Sequence, residues 1–153
     1  YLEFATDLLG GETRYTKGFS SVESYIPITD NINLHPKFSI GWTETDTNIP
    51  TSEQFFMGGR YSFRGLRHDQ LTGTKMVLGN IEIRFKLPYR LYLSGFYDFG
   101  DIYKSIDQIK FQNLRLGYGV SLAYDSPLGP IDLGYGKTVN QSDQLYINIG
   151  LNF

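Results

Sequence analysis

The sequence lacks the residues from which many protein classes build their sites. It has no cysteine and only two histidines, His35 and His68, which excludes a disulfide framework and a structural zinc site. It has no basic excess, because 14 basic side chains stand against 16 acidic ones, so nucleic acid is not an expected partner. No window reaches the ~20 mostly apolar residues that a transmembrane helix needs.

The composition instead favours β-structure. The 153 residues fit one domain, and they combine 16% aromatic residues with 17 glycines, which is common where strands meet a membrane interface. The chain begins at Tyr1, without an initiator methionine or an apolar leader. This start indicates a chain that was processed or cut from a longer one.

Alternation of apolar and polar residues is the main pattern. Every second residue from Leu145 to Phe153 is apolar, and residues 114–125 alternate in the same way. Two-faced strands of this length suit a bilayer crossing. Eight antiparallel strands are predicted, near residues 1–9, 13–28, 32–43, 75–87, 90–103, 113–125, 130–138 and 144–153.

The lengths of the connections give a second signal. Tight turns at 29–31, 88–89 and 126–129 lie between alternate pairs of strands, and the connections at the other end are mostly longer. Outer-membrane barrels have this asymmetry, whereas a soluble sandwich rarely keeps all its long loops at one end. The sequence therefore predicts an all-β, antiparallel transmembrane β-barrel wall.

The polar positions of these strands are predicted to line the inside of the barrel. They include Lys37, Glu82, Arg84, Asp98, Arg115 and Asp132. An eight-stranded barrel is only wide enough for its own side chains, so a loop of about thirty residues at 44–74 would not also fold inside it. Either the eight strands close alone with that loop outside, or they form half of a wider barrel that more chain or a second copy completes.

The long loop carries the most specific motif. It contains Met57-Gly58-Gly59 followed by Ser62-Phe63-Arg64-Gly65-Leu66. This pattern resembles the lumen-loop motif of the bacterial surface-antigen superfamily, the sixteen-stranded outer-membrane barrels that include assembly factors, two-partner secretion translocators and patatin-like autotransporters. Residues 80–85, 96–101 and 126–136 resemble the same family in the expected order. Residues 146–153 resemble the assembly signal that the barrel-insertion machinery reads.

The resemblance implies a fold and a set of site residues. Residues 1–153 would form one outer-membrane domain, half of a sixteen-stranded barrel, with the loop of about 44–74 in its lumen. Arg64 would pair there with Glu82 and Asp98 through charge-assisted hydrogen bonds. The implied sites are the loop motif Gly58, Gly59, Phe63, Arg64, Gly65 and Leu66, the wall partners Glu82 and Asp98, and the assembly signal Tyr146, Leu151 and Phe153. Without the motif, an arginine that caps a surface turn would be the simpler interpretation.

The resemblance also implies a function in which no covalent bond is made or broken. A translocator or insertase barrel in a bacterial-type outer membrane would insert polypeptides or pass them across. Its expected partners are outer-membrane lipid, the barrel-insertion machinery, an unfolded polypeptide client, and either a missing N-terminal half-barrel or a second copy. The alternatives are a passive anchor or structural barrel for an absent upstream domain, and a small soluble ligand-binding barrel.

No motif in the chain supports an enzyme. Gly136-Lys137-Thr138 lacks the earlier glycine of a phosphate loop, and no Gly-x-Ser-x-Gly nucleophile elbow occurs. Polar residues in the predicted external loops are of ordinary loop types. Catalytic residues, a metal site and a cofactor are therefore not expected.

Overall fold

The computed structural model describes residues 2–5, 15–45, 49–105, 108–109, 113–127, 129–139 and 143–150. Within these ranges no helix has the length and apolar character needed to cross a membrane. The strands are β1 (Leu2–Ala5), β2 (Tyr15–Glu23), β3 (Ile26–Thr29), β4 (Ile32–Thr45), β5 (Phe55–Met57), β6 (Leu71–Gly73), β7 (Lys75–Leu87), β8 (Leu91–Tyr103), β9 (Arg115–Ser126), β10 (Gly129–Thr138) and β11 (Asp143–Ile149).

One antiparallel sheet contains all of these strands except β5 and β6. Its order is β1-β2-β4-β7-β8-β9-β10-β11, and β3 pairs with β4 beside β2. The predicted all-β, antiparallel architecture is confirmed. Among the described residues, β1 and β11 are the two edges of the sheet, which is therefore an open part of a barrel wall.

The predicted strand at 13–28 is wrong as a single element. It is divided into β2 and β3 at Ser24 and Tyr25, where pairing with β4 is interrupted. The Ser24 amide donates to the Pro36 carbonyl at 3.1 Å, but Pro36 has no N–H with which to donate in return. The irregularity beside Pro36 thus lies in the neighbouring strand, while the pairing of β4 with β7 continues through Pro36.

The predicted ends of the chain are only partly described. Of the strand expected at 1–9 the structure describes Leu2–Ala5, and of the strand expected at 144–153 it describes residues up to 150. Leu151 and Phe153 of the predicted assembly signal lie outside the described residues.

The segment predicted as a long loop contains a small sheet of its own. β5 and β6 pair antiparallel, with Phe55 opposite Gly73 and Met57 opposite Leu71. Strands of three residues are too short for a periodic pattern to reveal them. They form here because Phe55 and Met57 are buried while Phe56 between them is exposed.

The main sheet has two chemically different faces. In β9, for example, the side chains from Leu116 to Tyr124 alternate between exposed apolar residues and small or polar residues that are less exposed. The exposed apolar face also includes Phe38, Ile40, Ile81, Leu93, Ile131, Leu133, Leu145, Ile147 and Ile149. An apolar surface that continues across neighbouring strands suits contact with lipid. The opposite face, called the polar face below, carries the candidate site.

Candidate functional site: a loop docked on the polar face

Residues 49–74, called the docking loop below, fold back onto the polar face. Gly58 and Gly59 make the turn with φ values of 133° and 90°, a region that favours glycine. The Gly59 amide donates to the Leu66 carbonyl at 3.1 Å, which closes the tip of the loop. At Gly58 a Cβ atom would lie 2.1 Å from the Arg67 carbonyl oxygen. This turn presents residues 60–66 to the sheet.

An apolar cluster anchors the docking loop. Met57, Phe63 and Leu66 are fully buried and pack with Leu78 of β7. Burying a side chain of this size contributes about 1.5–3 kcal/mol relative to leaving it exposed. The predicted motif residues Phe63 and Leu66 therefore act as apolar contacts that hold the loop on the sheet.

Arg64 lies between these apolar residues and forms a fork with two carboxylates. Its Nε and Nη2 atoms donate to the two oxygens of Asp98, at 3.0 Å and 2.7 Å. Its Nη1 atom donates to Glu82 at 2.7 Å, and its backbone amide donates to Asp98 at 2.8 Å. Every donor atom of the guanidinium thus has a carboxylate partner, in the bidentate geometry that makes such bonds strong and specific.

The surroundings of Arg64 are apolar on one side and polar on the other. Its guanidinium carbon lies 3.8 Å from the centre of the Phe96 ring, within range of a cation–π interaction. Burial by itself would lower the pKa of Arg64, but the hydrogen bond to Asp98 and the charges of Asp98 and Glu82 outweigh burial, so the pKa lies above its ordinary value. The guanidinium of Arg64 therefore keeps its positive charge throughout the physiological pH range.

Asn80 completes the site and was not among the predicted site residues. Its Nδ2 atom donates to Asp98 at 2.9 Å and to the Ser62 carbonyl at 2.7 Å, which links the loop to β7 a second time. Asn80 lies on the same strand face as Glu82 and is paired in register with Asp98. Its position in the predicted strand at 75–87 was the signal that could have identified it.

On the other side of Arg64, the docking loop contacts the last two described strands. Arg60 forms an ion pair with Asp132 of β10. The Tyr146 hydroxyl of β11 accepts a hydrogen bond from the Gly65 amide at 2.7 Å. The sequence placed Asp132 on the inner face but did not identify Arg60 as its partner. The loop therefore reaches from β7 to β11.

The structure brings together most of the residues that the sequence singled out. Gly58 and Gly59 form the turn, Phe63 and Leu66 the apolar contacts, and Arg64 meets Glu82 and Asp98. Tyr146, which was assigned to the assembly signal, contacts the docking loop, and its role as a signal stays a prediction.

A cavity of about 380 Å³ lies beside the docked motif on the polar face. Its lining comes from the loop and from strands as far apart as β2 and β11, which requires the sheet to curve around the loop. The lining is largely polar and includes a charged cluster. In it the Glu23 carboxylate lies 2.7 Å from His35 Nε2 and 3.6 Å from Lys37 Nζ. Such a surface is suited to water and not to lipid.

Small residues on the polar face make room for the loop. A substitution of Gly117 tests whether docking depends on that room. A Cβ atom on Gly117 would lie 2.7 Å from the Phe63 ring and 2.9 Å from the Arg64 carbonyl oxygen. We expect Gly117→Ala to weaken docking by about 1–3 kcal/mol, the usual cost of overpacking. Faster amide hydrogen exchange in residues 55–66 would report this loss.

Gly95→Ala is the matched control for that experiment. Gly95 is also a strand glycine of the sheet, but the nearest atom to its added Cβ would be 3.7 Å away, on Ile83. We expect amide hydrogen exchange in residues 55–66 of the Gly95→Ala variant to match that of the unaltered protein. Equal exchange in both variants would mean that the fit at Gly117 does not limit docking.

The exposed apolar face, the polar face and the loop held on it by an arginine fork define the wall of a membrane β-barrel with a docked loop. The whole chain, residues 1–153, matches the Omp85 superfamily domain. The chain therefore belongs to the Omp85 superfamily, a family of bacterial outer-membrane proteins.

Individual relatives agree with this assignment. The outer membrane protein assembly factor BamA of Nitratidesulfovibrio vulgaris (strain Hildenborough) is 26% identical over 155 aligned positions, which cover 91% of this chain and 20% of that protein. The crystal structure of BamA from Haemophilus ducreyi lacking POTRA domains 1–3 superposes with a TM-score of 0.75 at 17% identity, covering 90% of this chain and 34% of that one. The chain thus spans about one fifth of the curated relative that it matches.

Proposed function

We propose that this chain is the wall of an outer-membrane barrel that inserts polypeptides into the membrane or passes them across it. The family supports such a role in general, and the observation that carries the proposal here is the Arg64 fork with Glu82 and Asp98. The fork holds a separate loop against the polar face, where the loop would meet a polypeptide that enters the lumen.

We propose that the docking loop lies in the barrel lumen. Its motif packs on the face opposite the exposed apolar side chains, so the loop and the lipid would be on different sides of the wall. The polar cavity beside the loop is then part of a hydrated interior. In this arrangement the loop narrows the path that a polypeptide would follow.

We propose that the barrel closes only with strands beyond those described. The sheet has its edges at β1 and β11, and we propose that further strands of the same protein, an N-terminal half-barrel, complete it. Native mass spectrometry of the 153-residue chain in detergent tests this. A species of 17.5 kDa is expected, and a species of twice that mass would assign closure to a second copy instead.

The proposed action involves no bond making or breaking. Its partners would be outer-membrane lipid on the apolar face, an unfolded polypeptide client in or beside the lumen, and the barrel-insertion machinery, which would read the end of the chain, including Tyr146, Leu151 and Phe153. We propose that catalytic residues and cofactors take no part, because the charged residues of the site are used to hold the loop.

Reconstitution into lipid vesicles tests the proposed function. The full gene product is placed in vesicles, an unfolded outer-membrane barrel is added as client, and its folding is followed by the heat-dependent shift in its gel migration. We expect the client to fold faster than in vesicles that hold a passive outer-membrane barrel at the same protein-to-lipid ratio. Equal rates in the two vesicle preparations would favour the passive anchor and contradict the insertase proposal.

A further inference from the structure

Tyr146 joins the edge strand of the sheet to the backbone of the docking loop. Its hydroxyl accepts from the Gly65 amide at 2.7 Å and donates to the Leu66 carbonyl at 3.3 Å. Both loop atoms belong to the main chain, directly after Arg64. The contact therefore depends on the path of the loop backbone and not on the side chains of these two loop residues.

The same part of the loop fits closely against β10. Gly65 has φ 104°, and a Cβ atom on it would lie 2.8 Å from the backbone of Lys137 and Thr138. A Cβ atom on Gly136 would lie 2.9 Å from the Gly65 amide nitrogen. The ion pair between Arg60 and Asp132 is a further link to β10. The loop thus contacts both strands of the terminal hairpin, β10 and β11.

These contacts have an energetic consequence for the edge strand. β11 pairs with β10 through seven residue pairs and, among the described strands, has no neighbour on its other side. This pairing is shorter than the thirteen residue pairs between β7 and β8, and a strand with fewer backbone pairs opens more readily. A side-chain tether from β11 to a loop that is fixed on β7 and β8 adds a second point of attachment.

We propose that Tyr146 is a positioning residue that couples docking of the loop to pairing of the terminal strand. When the loop is docked, the Tyr146 hydroxyl holds β11 against β10. When the loop leaves the polar face, β11 loses that hold and opens more often. Thermodynamic linkage requires the reverse effect as well, so a paired β11 favours the docked loop. The proposal concerns strand pairing alone and does not rest on the proposed transport activity.

Hydrogen exchange of the protein in lipid, without any client, tests the coupling. Tyr146→Phe removes only the hydroxyl and with it both hydrogen bonds to the loop, of which the shorter alone corresponds to about fivefold faster local opening. We expect that increase in both 143–149 and 60–66, with unchanged exchange in β7 and β8. Tyr118→Phe is the matched control, because Tyr118 lies on the apolar face of β9 and is exposed.

A change made on the loop side tests the coupling in the other direction. Gly65→Ala leaves Tyr146 intact but forces the loop away from β10, and we expect faster exchange in 143–149. In the double variant with Tyr146→Phe, the two effects on 143–149 should be less than multiplicative, because both remove the same tether.

Three outcomes would overturn the proposal. Faster exchange in the loop alone would mean that Tyr146 holds the loop without affecting β11. Faster exchange throughout the sheet, including β7 and β8, would mean a general structural role. Independent effects of Gly65→Ala and Tyr146→Phe on 143–149 would mean that the two residues act on β11 by separate routes.

Discussion

Replacing Arg64 with alanine is expected to release the docking loop and open it to proteolysis. The substitution leaves Asp98, which is 0% exposed, without its cationic partner, and leaves Glu82 with Arg84 alone. Removing one member of a buried ion pair costs about 3–5 kcal/mol, since the remaining charge stays buried. The undocked population should then rise by about two to four orders of magnitude, since each 1.4 kcal/mol is a factor of about ten.

Chymotrypsin is the suitable probe for this experiment. Its preferred aromatic sites in the loop include Phe55, Phe56 and Tyr61, and none of the bonds cleaved after them involves residue 64. The rate of cleavage within residues 49–74 is measured on the protein in lipid. We expect rapid cleavage in Arg64→Ala and slow cleavage in the unaltered protein.

Arg67→Ala is the matched control, because Arg67 lies in the same loop and its side chain is exposed. Its cleavage rate should equal that of the unaltered protein. Arg64→Lys should be intermediate, since lysine keeps the charge but cannot form the bidentate fork. If Arg64→Ala is cleaved no faster than Arg67→Ala, the fork does not hold the loop.

The second large effect is expected on the apolar face. Leu122 lies in the middle of β9, is 44% exposed, and is paired with Leu93 and Leu133 on the neighbouring strands. An arginine at the lipid-facing midplane of a β-barrel costs about 2–4 kcal/mol. We expect Leu122→Arg to lower the urea midpoint of unfolding in vesicles and to reduce the fraction of protein that inserts.

The neighbouring residue provides the control for that substitution. Ala123 points to the opposite face and lines the polar cavity. An arginine there has water and carboxylates nearby, so Ala123→Arg should insert almost as well as the unaltered protein. If Ala123→Arg were the more damaging of the two, the assignment of the two faces would be reversed.

The two predictions concern different parts of one arrangement. The apolar face fixes which side of the sheet meets lipid, and the fork fixes the loop on the other side. Because Asp98 lies opposite Gly117, five residues from Leu122 along β9 and on the other face of the sheet, the effects of the two substitutions on overall stability should be nearly additive. A protein with both changes would then combine poor insertion with a cleavable loop.

Local patterns in the sequence determined the strands and their two faces. Alternation over residues 114–125 was enough to place Leu116 and Leu122 on one side and Gly117 and Ala123 on the other, because side chains of a strand alternate by geometry. The loop motif, by resemblance, also indicated Arg64 and its two carboxylates. The same patterns could not resolve β5 and β6, which are too short to show a period, or the break at Ser24.

Only the tertiary structure decided which distant residues meet. Arg60 and Asp132 are 72 positions apart, and Gly65 and Tyr146 are 81 apart. Their contacts depend on strand register and on the curvature of the sheet around the loop. Both are set by all the strand pairs together and not by any single segment. The sequence pattern therefore predicts only that Tyr146 lies on the polar side of the last strand. Its hydrogen bonds to the docking loop are evident only from the tertiary structure.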